Sequence, residues 1–472
     1  MEGRRFNSGQ RCRTFQKGIL IVLDPSIDQL TKLMEALNRI PEAEIDLPAE
    51  FEIQLARLYK KLRKRKRRAS GSARKKADRA TVVEIANRRK QNLNQVRFEG
   101  DDQPVQFQHQ QRTCYCCNER YQTVHPFYHW LCVACGDRSY AKRSQSADLS
   151  NYCALVTGGR IKIGFEVAVW LLRCGAKVHV TTRFPADAAI RFSELPDFSE
   201  FENRLLIHQL DFRNLPAVMS FIDHLNQNES QLDILINLAA QSVKRSDPWH
   251  QNRIQFEQQA NLSHSQQKLI SFSGVSDELR LLSADKASNP SLLGSNSDLL
   301  VRDDDDRLDT REKNTWNSSL NETEPVEILE ALLVNANAPA LLTRGLHARL
   351  QASPNPDRFV INVTGADGIF SLSKSGYHPH VNMSKAALNM LTRSCARFFA
   401  RDNIWVNSVD TGWITHEGGF RNRKQREEQG FLPPYDHRDG AARILDPVFQ
   451  VVNKDAEPVG GVLFRNFQAF NW

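Results

Sequence analysis

Cys153-Ala-Leu-Val-Thr-Gly-Gly-Arg-Ile-Lys-Ile-Gly164 is the stretch on which the reading of the fold turns. CALVT is a short, wholly apolar run ending in threonine, the pattern of a strand buried on both faces. Gly158 and Gly159 make a turn, and the apolar run from Phe165 to Cys174 has helical length. A strand, a glycine turn and a helix in that order let the backbone approach a pyrophosphate, which then sits at the positive helix N-terminus. The same rhythm continues downstream. AKVHVTTR (Ala176–Arg183), RLLIHQLDF (Arg204–Phe212), DILINLAA (Asp233–Ala240), RFVINVTG (Arg358–Gly365), NIWVNSVDTG (Asn403–Gly412) and VGGVLF (Val459–Phe464) read as further buried strands, with a helical stretch around Glu327 to Leu350. Strands alternating with helices predict a parallel sheet covered on both faces. Residues 150–472 are therefore expected to form an α/β, doubly wound domain.

That rhythm is broken between about 246 and 323. The segment is rich in Ser, Asn, Gln and Asp and carries four consecutive aspartates, Asp303 to Asp306; it predicts a disordered insertion. Upstream, residues 1–100 read as a helical and basic arm. Gly18–Leu23 suits a strand, Leu30, Leu33, Met34 and Leu37 stand at helical spacing, and a second amphipathic helix is expected from Pro48 to Leu62. The chain carries 63 Lys and Arg against 55 Asp and Glu, net +8. Twelve of those cations and one aspartate lie between Lys60 and Arg79, so the basic character belongs to that segment and not to the fold. Such a run serves as a solvated linker, a nuclear address, or a non-specific contact to nucleic acid or a protein partner. No apolar run of eighteen residues stands out and no apolar stretch follows the N-terminal basic residues. A cytoplasmic protein is expected, with a nuclear location open through residues 60–79, and no membrane partner.

Nine cysteines in a long chain do not suggest a disulfide scaffold, but four are paired. Cys114-x-x-Cys117 and Cys132-x-x-Cys135 are two knuckles, each presenting two thiolates, and together they predict a tetrahedral structural zinc in a ribbon-like module over residues 110–140. Cys116, His125 and His129 are spare ligands. Four protein ligands leave no open position, so this ion is expected to stabilise or dock.

Several motifs taken together resemble the short-chain dehydrogenase/reductase family, a Rossmann-type fold. TGGRIKIG (Thr157–Gly164) resembles its glycine-rich TGxxxGxG loop, NLAA (Asn237–Ala240) its NNAG, and VNANAP (Val334–Pro339) the helix bearing an active-site Asn. VNMSKAAL (Val381–Leu388) resembles the YxxxK helix, and VNSVDTGWIT (Val406–Thr415) a later cofactor-binding stretch. The resemblance implies a nicotinamide cofactor held by Thr157, Gly158, Arg160, Lys162, Gly164, Arg183, Asp211, Asn237, Lys385 and Thr415. Arg183 after the second strand suits the 2′-phosphate of NADP, with NAD open if that arginine is only a solvated strand end.

Two departures matter. Lys162 occupies the second glycine position of the turn, where its chain must turn outward or its ammonium must reach the phosphates. The family's proton-transferring Tyr is Val381 and its Ser is Gly365, with Thr364 beside it. Lys385 and Asn335 remain. His378, His380 and Tyr377 are the candidate substitutes, each of which is equally readable as a loop residue; Asp367 and Asp410 stand at strand ends nearby. The expectation is an NADP(H)-dependent oxidoreductase acting on an unspecified small carbonyl or alcohol, as a homo-oligomer. The alternative is a catalytically silent NADP(H)-binding sensor or scaffold.

Overall fold

The computed structural model describes Arg57, Lys60 and residues 77–89, 104–107, 111–245, 247–273, 314–415, 417–418, 425–426 and 431–472. The expected strand at Gly18–Leu23, the two N-terminal helices, most of the basic run and the aspartate run lie outside these residues. All but Arg57 and Lys60 belong to one compact unit, Lys76–Trp472.

Nine strands build the central sheet. In chain order after four short ones (β1 Val105–Gln106, β2 Arg112–Thr113, β3 Arg120–Tyr121, β4 Thr123–Val124) come β5 Cys153–Thr157, β6 Lys177–Thr182, β7 Leu205–Gln209, β8 Ile234–Asn237, β9 Ile270–Ser273, β10 Arg358–Thr364, β11 Ile404–Asp410, β12 Leu463–Arg465 and β13 Gln468–Phe470. The spatial order is β13-β12-β11-β10-β8-β5-β6-β7-β9. Every pairing is parallel except β12 with β13. The order reverses between β5 and β8, and in such sheets that switch point opens a ligand crevice at the carboxyl ends of the strands.

The strands are buried on both faces because helices cover both. On one face the helices Lys162–Arg173, Pro185–Ser193 and His437–Val452 pack Val167, Leu171, Phe192, Ile444 and Phe449 onto Val156, Val178 and Val180. On the other, Leu215–Asn228, Ala338–Gly345 and Pro379–Phe399 pack Phe221, Leu342 and Ala396 onto Leu155, Leu235 and Val360. Each large aliphatic side chain so buried contributes about 1.5–3 kcal/mol. The stretch Pro325–Gly345 is apolar and long enough to cross a membrane, but 56% of that window is buried in the fold, and Val334, Ala338 and Leu342 sit in the core. It is a core element here.

The expected disordered insertion is corrected at both ends. Residues 247–273 hold the helix Asp247–Gln259, a short helix His264–Lys268 with a Ser263 capping box, and the edge strand β9. Trp249 is buried and Glu257 accepts the Ala186 and Asp187 amides, which start the helix Pro185–Ser193. The Gln and Asn content of this helix hid one anchoring tryptophan and one helix-capping carboxylate. Asn314–Thr323 form two 3₁₀ turns.

The cysteine module is larger than residues 110–140. Val82 and Ile85 of the helix over residues 77–89 share a core with Phe107, Tyr121, Phe127, Tyr128, Ile414 and Tyr435. The seam to the sheet domain is ionic. Arg143 and Arg89 are nearly fully buried, and both pair with Asp436 and Asp439 at 2.8–3.3 Å.

Candidate dinucleotide site and cysteine centre

At the β5–β8 switch point, Thr157 ties the end of β5 to the loop that follows β8. Its hydroxyl accepts the amides of Leu238 and Ala239 at 2.8 and 3.0 Å and donates to the Ile236 carbonyl at 3.2 Å. Gly158 then takes φ +74°, with Ala239 3.0 Å from where its Cβ would stand. A Cβ on Gly164 would lie 2.2 Å from the Gly158 carbonyl oxygen. Glycine at these two positions therefore presses helix start against turn. The helix Lys162–Arg173 starts at this turn without a side-chain cap, and a helix start of this kind favours an anion. Lys162, the residue at the second glycine position, adopts φ +56°, a left-handed conformation that an L-residue enters at a cost of about 1–2 kcal/mol.

The two arginines of this region divide. Arg160 is buried and pairs with Asp187, the ion pair lying beside Phe184. Arg183 faces the opposite situation. Burial pulls its guanidinium down to about 10, Asp211 partly offsets this, and Arg213 and Arg160 push it further. Asp211 itself is engaged by Arg213, bonded at 2.6 and 3.0 Å. Burial raises that carboxyl, but the Arg213 hydrogen bonds and charge hold it below its usual range. Burial, with Arg183 and Arg213, also pushes His250 down to about 3. A desolvated cationic group with one of its acids already paired is suited to a dianionic phosphate.

Asn237 belongs to the sheet rather than to the crevice. It is buried, and its amide donates to Asn362 at 2.8 Å; Asn362 donates to Thr392 at 2.8 Å, and Thr392 meets Ser408 at 2.8 Å. Asn237, Asn362 and Ser408 are register partners across β8, β10 and β11. Thr415 is likewise occupied, its hydroxyl 2.5 Å from Glu417.

The remaining candidate positions converge at the ends of β8 and β10. Pro339 has no N–H for the carbonyl of Asn335 four residues back, and the helix there opens into a π-turn over Leu333–Asn337. This turn carries Asn335, which accepts the Gln241 amide at 2.7 Å and donates to the Gln241 carbonyl at 3.1 Å and to Ser384 at 2.9 Å. Lys385, one residue on, is buried and donates to the Val363 carbonyl at 2.8 Å. Burial pulls its ammonium down to about 8, with Asp367 opposing. Thr364, next to Val363, is buried with its hydroxyl unpartnered.

The three substitutes separate. Tyr377 is 49% exposed and stays on the surface. His378 has φ +44° and is clamped: it stacks on Trp316 at 4.1 Å, its Nδ1 lies 2.8 Å from the Trp316 carbonyl and its Nε2 3.3 Å from Asp367. Burial lowers it, but the hydrogen bonds to Asp367 and to the Trp316 carbonyl, with the Asp367 charge, together raise it. His380 is buried, with Nε2 3.4 Å from the Ser242 carbonyl and Nδ1 unpartnered; burial lowers its pKa, the Ser242 carbonyl opposing. Val381 is fully packed. Asp410 is buried beside Arg465 at 3.4 Å, and burial raises its carboxyl. Sequence reasoning missed Ser384, Gln241, Arg213 and the Trp316 clamp. Ser384 precedes Lys385 and was legible; the other three depend on long-range contacts.

The four predicted thiols meet. The Sγ atoms of Cys114, Cys117, Cys132 and Cys135 lie within 4.8 Å of one another. Burial raises Cys132 to about 11 and Cys135 higher still, with neighbouring sulfurs adding to the effect. The spare ligands are spent elsewhere. His125 Nδ1 accepts the Phe127 and Tyr128 amides, His129 Nε2 lies 3.1 Å from the Leu432 carbonyl, and Cys116 accepts from Arg138 at 3.4 Å. Tyr115, inside the first knuckle, accepts the Trp413 amide at 3.0 Å. This ties the module to the segment that leaves β11.

A parallel sheet with a glycine-lined crevice at its switch point defines a dinucleotide-binding α/β protein. Residues 152–263 match the family model described as short chain dehydrogenase, and residues 312–430 that described as Enoyl-(Acyl carrier protein) reductase. The chain belongs to the short-chain dehydrogenase/reductase family. It is 32% identical over 354 residues to an uncharacterized protein of Acanthamoeba polyphaga mimivirus, covering 72% of this chain and 71% of that one. It is also 31% identical over 120 residues to the short-chain dehydrogenase/reductase pyiH of Pyricularia grisea, covering 24% of this chain and 47% of that protein. The carbonyl reductase Sniffer of D. melanogaster is a solved structure similar to it, with a TM-score of 0.44 at 15% identity over 68% of this chain and 99% of that one.

Proposed function

We propose that this protein is an NADP(H)-dependent oxidoreductase that reduces a small carbonyl without a catalytic tyrosine. The observation that carries the reading is Lys385: a buried ammonium, pulled down to about 8, held on the Val363 carbonyl, with the unpartnered Thr364 hydroxyl on the next residue at the carboxyl end of β10. Gly158, Gly164 and the uncapped helix start would hold the pyrophosphate, with Arg183 on the 2′-phosphate. A reduced nicotinamide bound there supplies a hydride. Thr364 donates to the substrate oxygen and orients it. Lys385, charged at neutral pH yet weakly acidic, passes its proton to that oxygen. Asn335, fixed between Gln241 and Ser384, keeps the β8 loop and the Lys385 helix in register. His380 is assigned to packing.

A second reading, a silent NADP(H) sensor, is favoured by Val381 and by the surface position of Tyr377. Stopped-flow oxidation of bound NADPH against a panel of aldehydes and ketones separates the two. Turnover that Lys385→Ala abolishes and His380→Ala preserves is expected. Turnover that survives Lys385→Ala removes this mechanism, and none at all with NADPH bound favours the sensor.

For the cysteine centre we propose a structural zinc. Four thiols packed this closely cannot all ionise unless a dication neutralises them, and no open position remains for chemistry.

A further inference from the structure

At the end of the sheet remote from the crevice, three chemically different ligands meet. Cys153 is the first residue of β5, His179 stands near the start of β6, and Glu229 ends the helix Leu215–Asn228. One ligand atom from each lies within 4.8 Å of the others, in a small cavity also lined by Gln231, Leu225 and Arg349. Cys153 and His179 are almost completely buried, and Glu229 reaches solvent at 15% side-chain exposure.

We infer that Cys153, His179 and Glu229 form a second zinc site, clipping the starts of two parallel strands to the end of a helix.

Four observations carry it. The His179 Nε2 atom is buried without a hydrogen bond, 3.4 Å from the nearer Glu229 oxygen. Its Nδ1 lies 2.9 Å from His208 Nε2; with Nδ1 as the donor, the Nε2 lone pair faces the cluster, which is how a second group orients a metal-binding imidazole. The other Glu229 oxygen is hydrogen-bonded by Lys177 at 2.6 Å, again the support a ligating carboxylate receives. Finally, sulfur, imidazole nitrogen and carboxylate oxygen are the three donor types zinc accepts, and one thiolate with one carboxylate balances its two charges.

Binding moves one proton. The Cys153 thiol releases it to the buffer as the sulfur takes the ion, and no oxidant or reductant is involved. Three protein ligands leave a fourth position, open toward Glu229, for water. Lys177 and Arg349 carry like charge beside this cluster, but the Lys177 ammonium is 41% exposed and screened by solvent while it holds the outer Glu229 oxygen.

The test is the zinc content of the full chain, saturated with zinc chloride and desalted. Two ions per chain are expected, falling to one in Cys153→Ser, His179→Ala and Glu229→Gln, and separately to one in Cys117→Ser/Cys132→Ser. Glu229→Gln is the partly exposed, isosteric change that keeps the test valid if the buried variants fail to fold. One ion that only the Cys117→Ser/Cys132→Ser variant removes overturns this site and leaves the four-thiolate centre standing. One ion removed only by the Cys153, His179 or Glu229 variants does the reverse.

Discussion

A valine where an acid–base tyrosine is expected shifts the chemistry onto a lysine. Lys385 has a lowered pKa, about 8 against an ordinary 10.5, so the folded state binds fewer protons than the unfolded one between those values. Stability is thus expected to rise with pH through that window. Below it the buried charge is a burden, and Lys385→Met should gain on the order of 1–3 kcal/mol at pH 7 by chemical denaturation while losing turnover. In the wild type, kcat/KM for carbonyl reduction is expected to fall as pH rises through about 8, because the proton donor is then lost. At Lys162, glycine relieves the left-handed backbone. Lys162→Gly should stabilise the fold by about 0.5–1 kcal/mol, and a simultaneous loss of NADPH affinity would assign the ammonium to the phosphates. Arg183→Asp is expected to weaken NADPH by about 10- to 100-fold, the worth of a charge-assisted hydrogen bond pair, while NADH binding is retained; equal losses for both would place the arginine elsewhere.

Among the elements, the seam between cysteine module and sheet is the most exposed to attack. Arg143 and Arg89 hold Asp436 well below its usual range despite burial. Its folded pKa is depressed from an unfolded value of about 3.9, so this contribution is present above that pH and is lost as pH falls. Arg143→Met should cost on the order of 3 kcal/mol by leaving the buried Asp436 and Asp439 to share Arg89 as their remaining cation, read as a lower midpoint in urea that narrows toward acid pH. The elements also show where reading fails. The strand CALVT and its glycine turn were legible because a buried strand has one composition and a phosphate turn has one geometry. Helix Asp247–Gln259 was not, because its polar sequence is anchored by one buried indole, Trp249, and one carboxylate, Glu257. The motif puts Asn237 on the cofactor, whereas its amide donates to its register partner Asn362 on β10.

Across the whole molecule, a parallel sheet covered on both faces is legible in the alternation of apolar strands and helices; its strand order is not, since it depends on long-range pairing and takes in β9 from a polar stretch. The knuckle spacing brought the four thiols together as expected. What the chain order concealed is how the module is mounted: Tyr115 on Trp413 and Arg143 on Asp436 join residues about 300 apart. Such pairs leave no local periodicity. The same holds for Cys153, His179 and Glu229, each unremarkable on its own strand or helix. Central to all of this is the β5–β8 switch point, proposed to bind a dinucleotide and to prefer its phosphorylated form. Isothermal titration of the full chain with NADPH, NADP and NAD tests it most directly. Micromolar binding of NADPH, at one site per chain and tighter than NAD, is the expected result; no binding of any of the three below millimolar concentration contradicts it.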